Sequence, residues 1–444
     1  MNYLKLASIL IFSFASSTVN SQTMDLLGVY NQAQDRDPLI AAAKFQAQAG
    51  EEKATQGKSL LLPKLNAGAS AGYGYSKNEY DSASQFDSSN KSSSYGVNAQ
   101  LTQPIYHAAD WDSYAQSKMA VDQAAIQLAA SKQDLILRVT KAYFGVLSAE
   151  ENVDVAEAET RALKESLDRA ILTFKVGTAT KTDKLEAQAR YDIAVASEIL
   201  AKSHLAVAKQ TLASIIGSTP ESLKKLATNV KLVEIQPTDM KSWVDTAHAN
   251  NQQLKLSNLG LDISKLEVSK LKGDRLPAVD LIASASQTQA YQSFAQSDVS
   301  STNLSLSLQL SVPIYTGGLL SSRIREAESL RLQQKQFKIN RERQVELQTQ
   351  QAYLNALSEK QRAEALRQAM LSNESALEAT KKGVEVGVRT NLDLLDAQQL
   401  FFGTQRDFTV SKYDYLLSVL QLKAAAGVLA ENDIEELNAL LTMN

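Results

Sequence analysis

The side chains that most often perform bond chemistry are scarce in this sequence. Its 444 residues include no cysteine, and its three histidines, His107, His204 and His248, contain no pair at metal-ligand spacing. Disulfides, zinc-thiolate sites and thiol nucleophiles are therefore excluded. No H-E-x-x-H zinc motif occurs, and no histidine has an obvious catalytic partner. We expect a protein that is not an enzyme and that holds no metal or cofactor.

Carboxylates are the remaining candidates for charge chemistry. Asp393 and Asp396 lie three residues apart, so a helix would carry both on one face. Two carboxylates on one face raise the local concentration of cations. Asp183 and Asp393 also follow a Val-Gly dipeptide, where an acidic residue stabilises the start of a helix. Helix capping is therefore an alternative for these two, and a solvated helix face is the alternative for Asp396.

Composition limits both the partners and the architecture. The chain has 46 basic and 49 acidic residues and a net charge of −3, so it offers no broad basic surface and we expect no nucleic-acid partner. It has only 7 prolines and 18 glycines, which favours long helices over a loop-rich globule.

The first 21 residues have the features of a secretory signal peptide. Lys5 precedes an apolar stretch at 6–15, and small residues stand before Gln22. The apolar stretch is too short for the roughly 20 residues of a spanning helix. We therefore expect residues 1–21 to be removed after Ser21 and the mature protein to be exported.

An internal repeat covers almost the whole mature chain. Residues 176–188 read VGTATKTDKLEAQ, and residues 386–398 read VGVRTNLDLLDAQ. Leu-Pro and Pro-Ile-Tyr segments recur in the same order and at nearly the same offset. This pattern predicts a tandem duplication, with a first structural repeat at 22–230 and a second at 231–444.

Each half is predicted to contain the same series of elements. An amphipathic helical stretch ends at Leu-Pro, two strands with one apolar face follow, and a long helix then turns back on itself at Val-Gly. The alternation is clearest in LSLSLQLSV at 304–312. Helical stretches are predicted at about 24–58 and 239–272, strands at about 64–76, 95–103, 278–290 and 304–312, polar loops at 77–94 and 292–303, long helical runs from Pro104 and from Pro313, and hairpin tips near 176–183 and 386–393.

The strands have the length that a tilted membrane-crossing strand needs, about 9–11 residues. Four strands cannot close a barrel, because the smallest barrels have about eight. A shared barrel would have eight strands in a dimer, twelve in a trimer or sixteen in a tetramer, and arithmetic alone does not choose among these. A soluble periplasmic helical scaffold, or an adaptor-like protein with small β caps, is the alternative.

The duplication, the Leu-Pro before each strand pair, the Pro-Ile-Tyr after it and the paired V-G-x-x-T-x-x-D turns resemble the TolC-type outer-membrane channel protein family. The resemblance implies a mostly α fold with a β-barrel part. It further implies a homotrimer with a twelve-strand barrel in the Gram-negative outer membrane and a twelve-helix tunnel in the periplasm. Such a protein is a passive, gated exit duct for tripartite efflux pumps or type I secretion systems. Its expected partners are outer-membrane lipid, a periplasmic adaptor and an inner-membrane transporter.

The resemblance also assigns roles at the two turns. Asp393 and Asp396 would form the pore selectivity ring, and Arg389, Thr182 and Asp183 would form links that hold the tunnel entrance shut. A charge-assisted Arg389–Asp183 pair is the expected clamp. Relatives place a gate tyrosine at the position of Val384, so that part of the link network is absent or rebuilt. The adaptor-docking tips would be Val176, Gly177, Thr180, Val386, Gly387 and Thr390, of which Thr180 and Thr390 could equally be turn formers.

Overall fold

The computed structural model describes residues 23–78, 88–220, 222–227, 234–292 and 297–441. The predicted signal peptide, 1–21, lies outside these residues. The chain is mostly helical and carries one small four-stranded sheet. The elements are α1 (Leu26–Arg36), α2 (Pro38–Lys58), β1 (Lys64–Asn78), β2 (Ser88–Tyr106), α3 (Ala108–Lys175), α4 (Lys181–Ile216), α5 (Met240–Asn250), α6 (Gln252–Gly273), β3 (Ala278–Gln292), β4 (Ser297–Ser311), α7 (Leu319–Glu385), α8 (Asn391–Ala425) and α9 (Glu431–Asn438).

The helical stretches predicted over 24–58 and 239–272 are each divided into two helices. The break in the first lies at Asp37, which has an extended backbone and precedes Pro38. A residue before proline disfavours the helical conformation, and the carboxylate of Asp37 caps the next helix. Asn251 interrupts the second stretch without a following proline: its backbone is extended, and its side chain accepts from the amides of Gln253 and Leu254 in α6.

The sheet has the order β1-β2-β3-β4 with every pair antiparallel. Its register places Leu65 opposite Leu101, Leu101 opposite Ala283 and Ala283 opposite Leu306. Residues that face each other across a ladder share one side of the sheet, so the four apolar faces merge into one. None of the residues that the structure describes covers that face, and Leu304 is 80% exposed.

The polar segments predicted as loops at 77–94 and 292–303 are partly strand, so that prediction is wrong for 77–78, 88–94, 292 and 297–303. Ser92 lies opposite Gly74, and Ser301 lies opposite Thr288. The ladder continues because its hydrogen bonds come from the backbone, which every one of these residues supplies. Apolar alternation therefore marks only the part of each strand that carries an apolar face.

Two very long helices dominate the remainder. α3 has 68 residues and α7 has 67, so each is about 100 Å long. They begin later than the predicted runs from Pro104 and Pro313, because β2 continues through Tyr106 and two glycines with positive φ, Gly317 and Gly318, precede α7. α4 returns along α3 and α8 returns along α7, while α3 packs against α8. Among the helices that the structure describes, none has the length and apolarity to cross a membrane.

The main apolar core lies where α1, α5 and α9 meet the middle of α3 and the second half of α8. Tyr30, Tyr143 and Tyr415 are its largest fully buried side chains. The hydroxyl of Tyr143 donates to the carbonyl of Lys224 at 2.8 Å, which satisfies the one polar atom of a buried ring. A second, smaller cluster lies near the hairpin tips and contains Leu395 of α8.

Candidate functional site at the hairpin tips

Both long hairpins reverse at a glycine in the left-handed region. Gly177 has φ +81° and Gly387 has φ +79°, a conformation that side-chain-bearing residues rarely adopt. The amide of Thr178 donates to the carbonyl of Thr173 at 3.0 Å, and the amide of Val388 donates to that of Gly383 at 2.9 Å. These bonds satisfy carbonyls that the helix end leaves unpaired, so the glycines end α3 and α7.

The next helices begin with matching capping boxes. The amide of Thr180 donates to Asp183 Oδ2 at 2.9 Å, and the amide of Asp183 donates to Thr180 Oγ1 at 3.2 Å. Thr390 and Asp393 form the same pair of bonds, at 2.8 and 3.1 Å. Each box satisfies two unpaired amides at a helix start. Capping, the alternative that the sequence raised for both aspartates, is therefore what they do within the chain.

Capping keeps these two carboxyls ionised. Hydrogen bonds from Thr390, first from its backbone amide, hold the pKa of Asp393 below its ordinary value of 3.8, and Thr180 does the same for the pKa of Asp183. A cap and a negative charge at a pore mouth are therefore compatible roles for Asp393.

A low pKa for a capping carboxyl predicts the behaviour of the tips in acid. The stabilisation from a depressed pKa is fully present above the ordinary value of 3.8 and is lost as the pH falls through the lower folded value. If Asp393 supplies cation selectivity, as the family resemblance implies, we expect that contribution to persist at pH 5 and to disappear only below about pH 4. Reversal potentials measured between pH 7 and pH 3 test this. Thr390→Val should move the loss to higher pH, and a wild-type contribution lost already at pH 5–6 would contradict it.

Asp396 lies on a solvated helix face, as its alternative expects, with its side chain 59% exposed, but it also has a partner. Its Oδ1 accepts a hydrogen bond from Arg190 Nη2 of α4 at 2.8 Å, and the same guanidinium donates to Gln399. The structure therefore connects one predicted ring carboxylate to the other hairpin of the same chain. Arg190 was not predicted, because it lies 206 positions from Asp396 in the sequence.

The predicted clamp residues are not joined within one chain. The stem of Arg389 lies over Gly383, and no ion pair links Arg389 to Asp183 in the part of the chain that the structure describes. Thr182 is exposed on the first turn of α4. Val384, at the position of the family's gate tyrosine, is half-buried and has no side-chain hydrogen-bond donor.

The predicted docking tips are exposed. Val176 and Val386 project at the ends of α3 and α7, and Val386 is 74% exposed. Val388, which the sequence did not single out, is 76% exposed beside it. Exposed valines at the two turns give each hairpin an apolar end.

Polar contacts between α3 and α8, which we call the α3–α8 seam, join the two hairpins along their length. Gln398 accepts from Ser166 at 3.2 Å, Arg406 pairs with Glu159, and both Lys412 and Tyr413 donate to Glu151. Position numbers rise along α8 as they fall along α3, as expected for antiparallel helices. The seam was not predicted, although its positions on α8 recur at helical spacing.

One sequence string could suggest an enzyme. Residues 68–72 read GASAG, which matches the G-x-S-x-G pattern of hydrolase nucleophiles. The structure places this string within β1, where Ser70 lies opposite Gly96 in the ladder. The hydrolase motif requires a sharp turn from a strand into a helix, so this string does not form a nucleophile site.

Comparison with known proteins identifies the family. The outer membrane efflux protein family model matches residues 29–218 and again residues 243–428. Outer membrane protein TolC of Vibrio cholerae is 32% identical over 435 residues, which cover 97% of each chain. Alkaline protease secretion protein AprF of Pseudomonas aeruginosa is 29% identical and covers 93% of this chain and 86% of its own. The chain belongs to the outer membrane efflux protein family.

Solved structures support the same fold. The outer membrane channel CmeC of Campylobacter jejuni superposes with a TM-score of 0.77 at 18% identity, covering 94% of this chain and 90% of that one. The fold is therefore that of known outer-membrane channels, although the sequences of those channels differ greatly from this one.

Proposed function

We propose that this protein is the outer-membrane exit duct of a tripartite efflux pump or a type I secretion system, a passive channel that a periplasmic adaptor and an inner-membrane transporter open. The observation that carries the proposal is the order of the elements: the strands of a sheet with an uncovered apolar face lead directly into helical hairpins about 100 Å long. Family membership supports it, and AprF, named for secretion of a protease, supports the secretion role.

The sheet needs further copies of the chain. β1 and β4 are its edges, and within the described residues each has a neighbour on one side only. Unpaired edge groups are costly in lipid, because no water is present to satisfy them. Three chains would supply twelve strands and twelve long helices, as the family resemblance implies. The family model matches twice, which supports a duplication into residues 22–230 and 231–444.

The uncovered apolar face favours an outer-membrane location over a soluble periplasmic scaffold. Leu304, Leu306, Leu308 and Leu310 are all exposed on one side of β4. A soluble protein rarely presents such a contiguous apolar surface, whereas lipid would cover it. The sheet would then lie in the membrane, with the helices extending into the periplasm. A duct of this kind makes and breaks no bonds and needs no cofactor.

The gate is proposed at the tunnel mouth. Asp393 and Asp396 from three chains would form the cation-selective ring. Arg389 would reach Thr182 and Asp183 of a neighbouring chain, since it does not pair with Asp183 in its own. Val176, Gly177, Thr180, Val386, Gly387 and Thr390 would contact the adaptor, with Val388 added by its exposure.

The proposed assembly is tested by its mass and its need for detergent. Purified protein should behave as three chains in detergent and should lose solubility when the detergent is removed, because the apolar face is then bare. Light scattering with a correction for bound detergent measures the mass. A monomer that remains soluble without detergent would contradict the duct and favour the scaffold.

The clamp is tested by Arg389→Ser. We expect resting conductance in planar bilayers to rise several-fold, since loss of the guanidinium removes the charge-assisted bonds that hold the entrance closed. Arg367→Ser is the matched control, because it removes the same charge from α7 about five helical turns above the tip. A resting conductance of Arg389→Ser equal to that of the wild type would exclude a clamp at Arg389.

A further inference from the structure

The tip of α8 is attached to the first hairpin by an ion pair that none of the predicted gate links includes. Arg190 lies on α4, and its Nη2 is 2.8 Å from Asp396 Oδ1 on α8. The guanidinium also donates to Gln399, one turn along, and lies 3.9 Å from Glu186 of its own helix. Arg190 is 26% exposed, so part of its side chain is held against protein.

Neighbouring side chains attach the same turns of α8. Leu395 is 1% exposed and belongs to the small apolar cluster with Leu163, Leu167 and Ala187 of the first hairpin. Gln398 is buried and accepts from Ser166 of α3. The start of α8 therefore contacts both helices of the first hairpin. It cannot move away from them without breaking the Arg190–Asp396 pair and exposing Leu395.

We propose that Arg190 is a latch and a selectivity-determining residue of this channel. In the resting state it neutralises Asp396 and holds α8 on the first hairpin. In the open state, separation of the hairpins releases Asp396 into the pore mouth. This inference rests on the proposed duct function and deepens it, because it makes the charge of the ring depend on the state of the gate.

The latch changes how many ring carboxylates are free of a partner charge. A trimer would carry six ring carboxylates, Asp393 and Asp396 from each chain, and three of them would be paired with Arg190 at rest. The capped Asp393 carboxyls would supply the resting selectivity, and the released Asp396 carboxyls would add to it on opening. Wide openings should therefore be more cation-selective than narrow ones.

Arg190→Gln tests the latch. We expect resting conductance and the potassium-to-chloride permeability ratio each to rise at least about twofold, since the gate loses a tether and the ring gains uncompensated charge. Arg161→Gln is the matched control. Arg161 is also on the first hairpin and pairs with Glu157 of its own helix at 3.9 Å, so the control removes one charge without separating the hairpins. Equal values for wild type and Arg190→Gln would overturn the proposal.

Exchanging the charges of Arg190 and Asp396 distinguishes the loss of the tether from the change in ring charge. Arg190→Asp and Asp396→Arg should each raise resting conductance, because each places like charges side by side at the contact. The double variant restores an opposite pair and should return resting conductance to within about twofold of wild type. If the double variant leaks as much as the two single variants, the pair is not a latch. Asp396→Asn removes the other partner of the pair and should also raise resting conductance. This variant still tests the latch if Arg190→Gln fails to fold.

The outcomes distinguish this inference from the function on which it rests. Wild-type trimers that conduct cations, with an unchanged Arg190→Gln, would remove the latch and leave the duct intact. Wild-type protein that never conducts would remove the proposed duct itself.

Discussion

Replacing both Asp393 and Asp396 by asparagine is expected to reduce the potassium-to-chloride permeability ratio several-fold, to near one, while the proposed trimer remains folded. The change removes up to six carboxylates from the proposed pore mouth and so removes its attraction for cations. Asparagine suits this test better than alanine, because its side-chain oxygen can still accept the amide of Thr390 and keep the cap of α8. Reversal potentials in a salt gradient measure the ratio.

The control for this variant is a second pair of carboxylates. Glu165 and Asp168 are exposed on α3 and are also three residues apart. Glu165→Gln with Asp168→Asn removes the same number of charges from the first hairpin at the same level, beside Ser166 and Leu167, but leaves the proposed ring carboxylates in place. We expect its permeability ratio to stay near that of the wild type. A ratio that is unchanged in the Asp393 and Asp396 variant would exclude a selectivity ring at these positions.

Gly427→Ala is expected to remove most of the folded protein. Gly427 has φ +75°, and a Cβ added there would lie 2.6 Å from backbone atoms of Asn250 and Asn251. Backbone cannot move aside as a flexible side chain can, so the clash adds to the cost of about 1–2 kcal/mol for a left-handed residue. We expect at least a tenfold loss of folded protein, measured by its yield from membranes and its resistance to heat.

Gly217→Ala separates the clash from the backbone strain. Gly217 ends α4, as Gly427 follows the end of α8, and it has φ +73°. The nearest atom to its added Cβ is in the side chain of Arg36, at 3.5 Å, which is ordinary contact. This variant should lose only the strain cost of about 1–2 kcal/mol and remain folded. Equal losses in the two variants would show that the contact with α5 and α6 is unimportant.

Much of the fold can be predicted from the sequence because its signals are periodic. Alternating apolar residues such as those at 304–312 predict the strands and their common apolar face. The scarcity of proline and glycine predicts the long helices. The breaks at Asp37 and Asn251 were missed, since each replaces only one helical residue within an otherwise continuous pattern. The strand ends at 88–94 and 297–303 were missed because a backbone ladder leaves no mark on polar side chains.

The candidate site also has a part that the sequence predicts and a part that it does not. The capping boxes follow from T-x-x-D spacing, which joins residues only three positions apart and can therefore be recognised in the sequence. The contacts of Arg190 and of the α3–α8 seam join residues more than 200 positions apart. Any exposed arginine could make such a contact, and the packing of the hairpins selects which one does. Long-range pairing therefore needed the structure.

The most direct test of the central claim is single-channel recording in planar bilayers from protein whose mass is measured in the same preparation. We expect a species of three chains that gives small, cation-selective currents at rest, with larger openings in the gate variants. A monomer that needs no detergent and never conducts would contradict the account and leave a periplasmic helical scaffold.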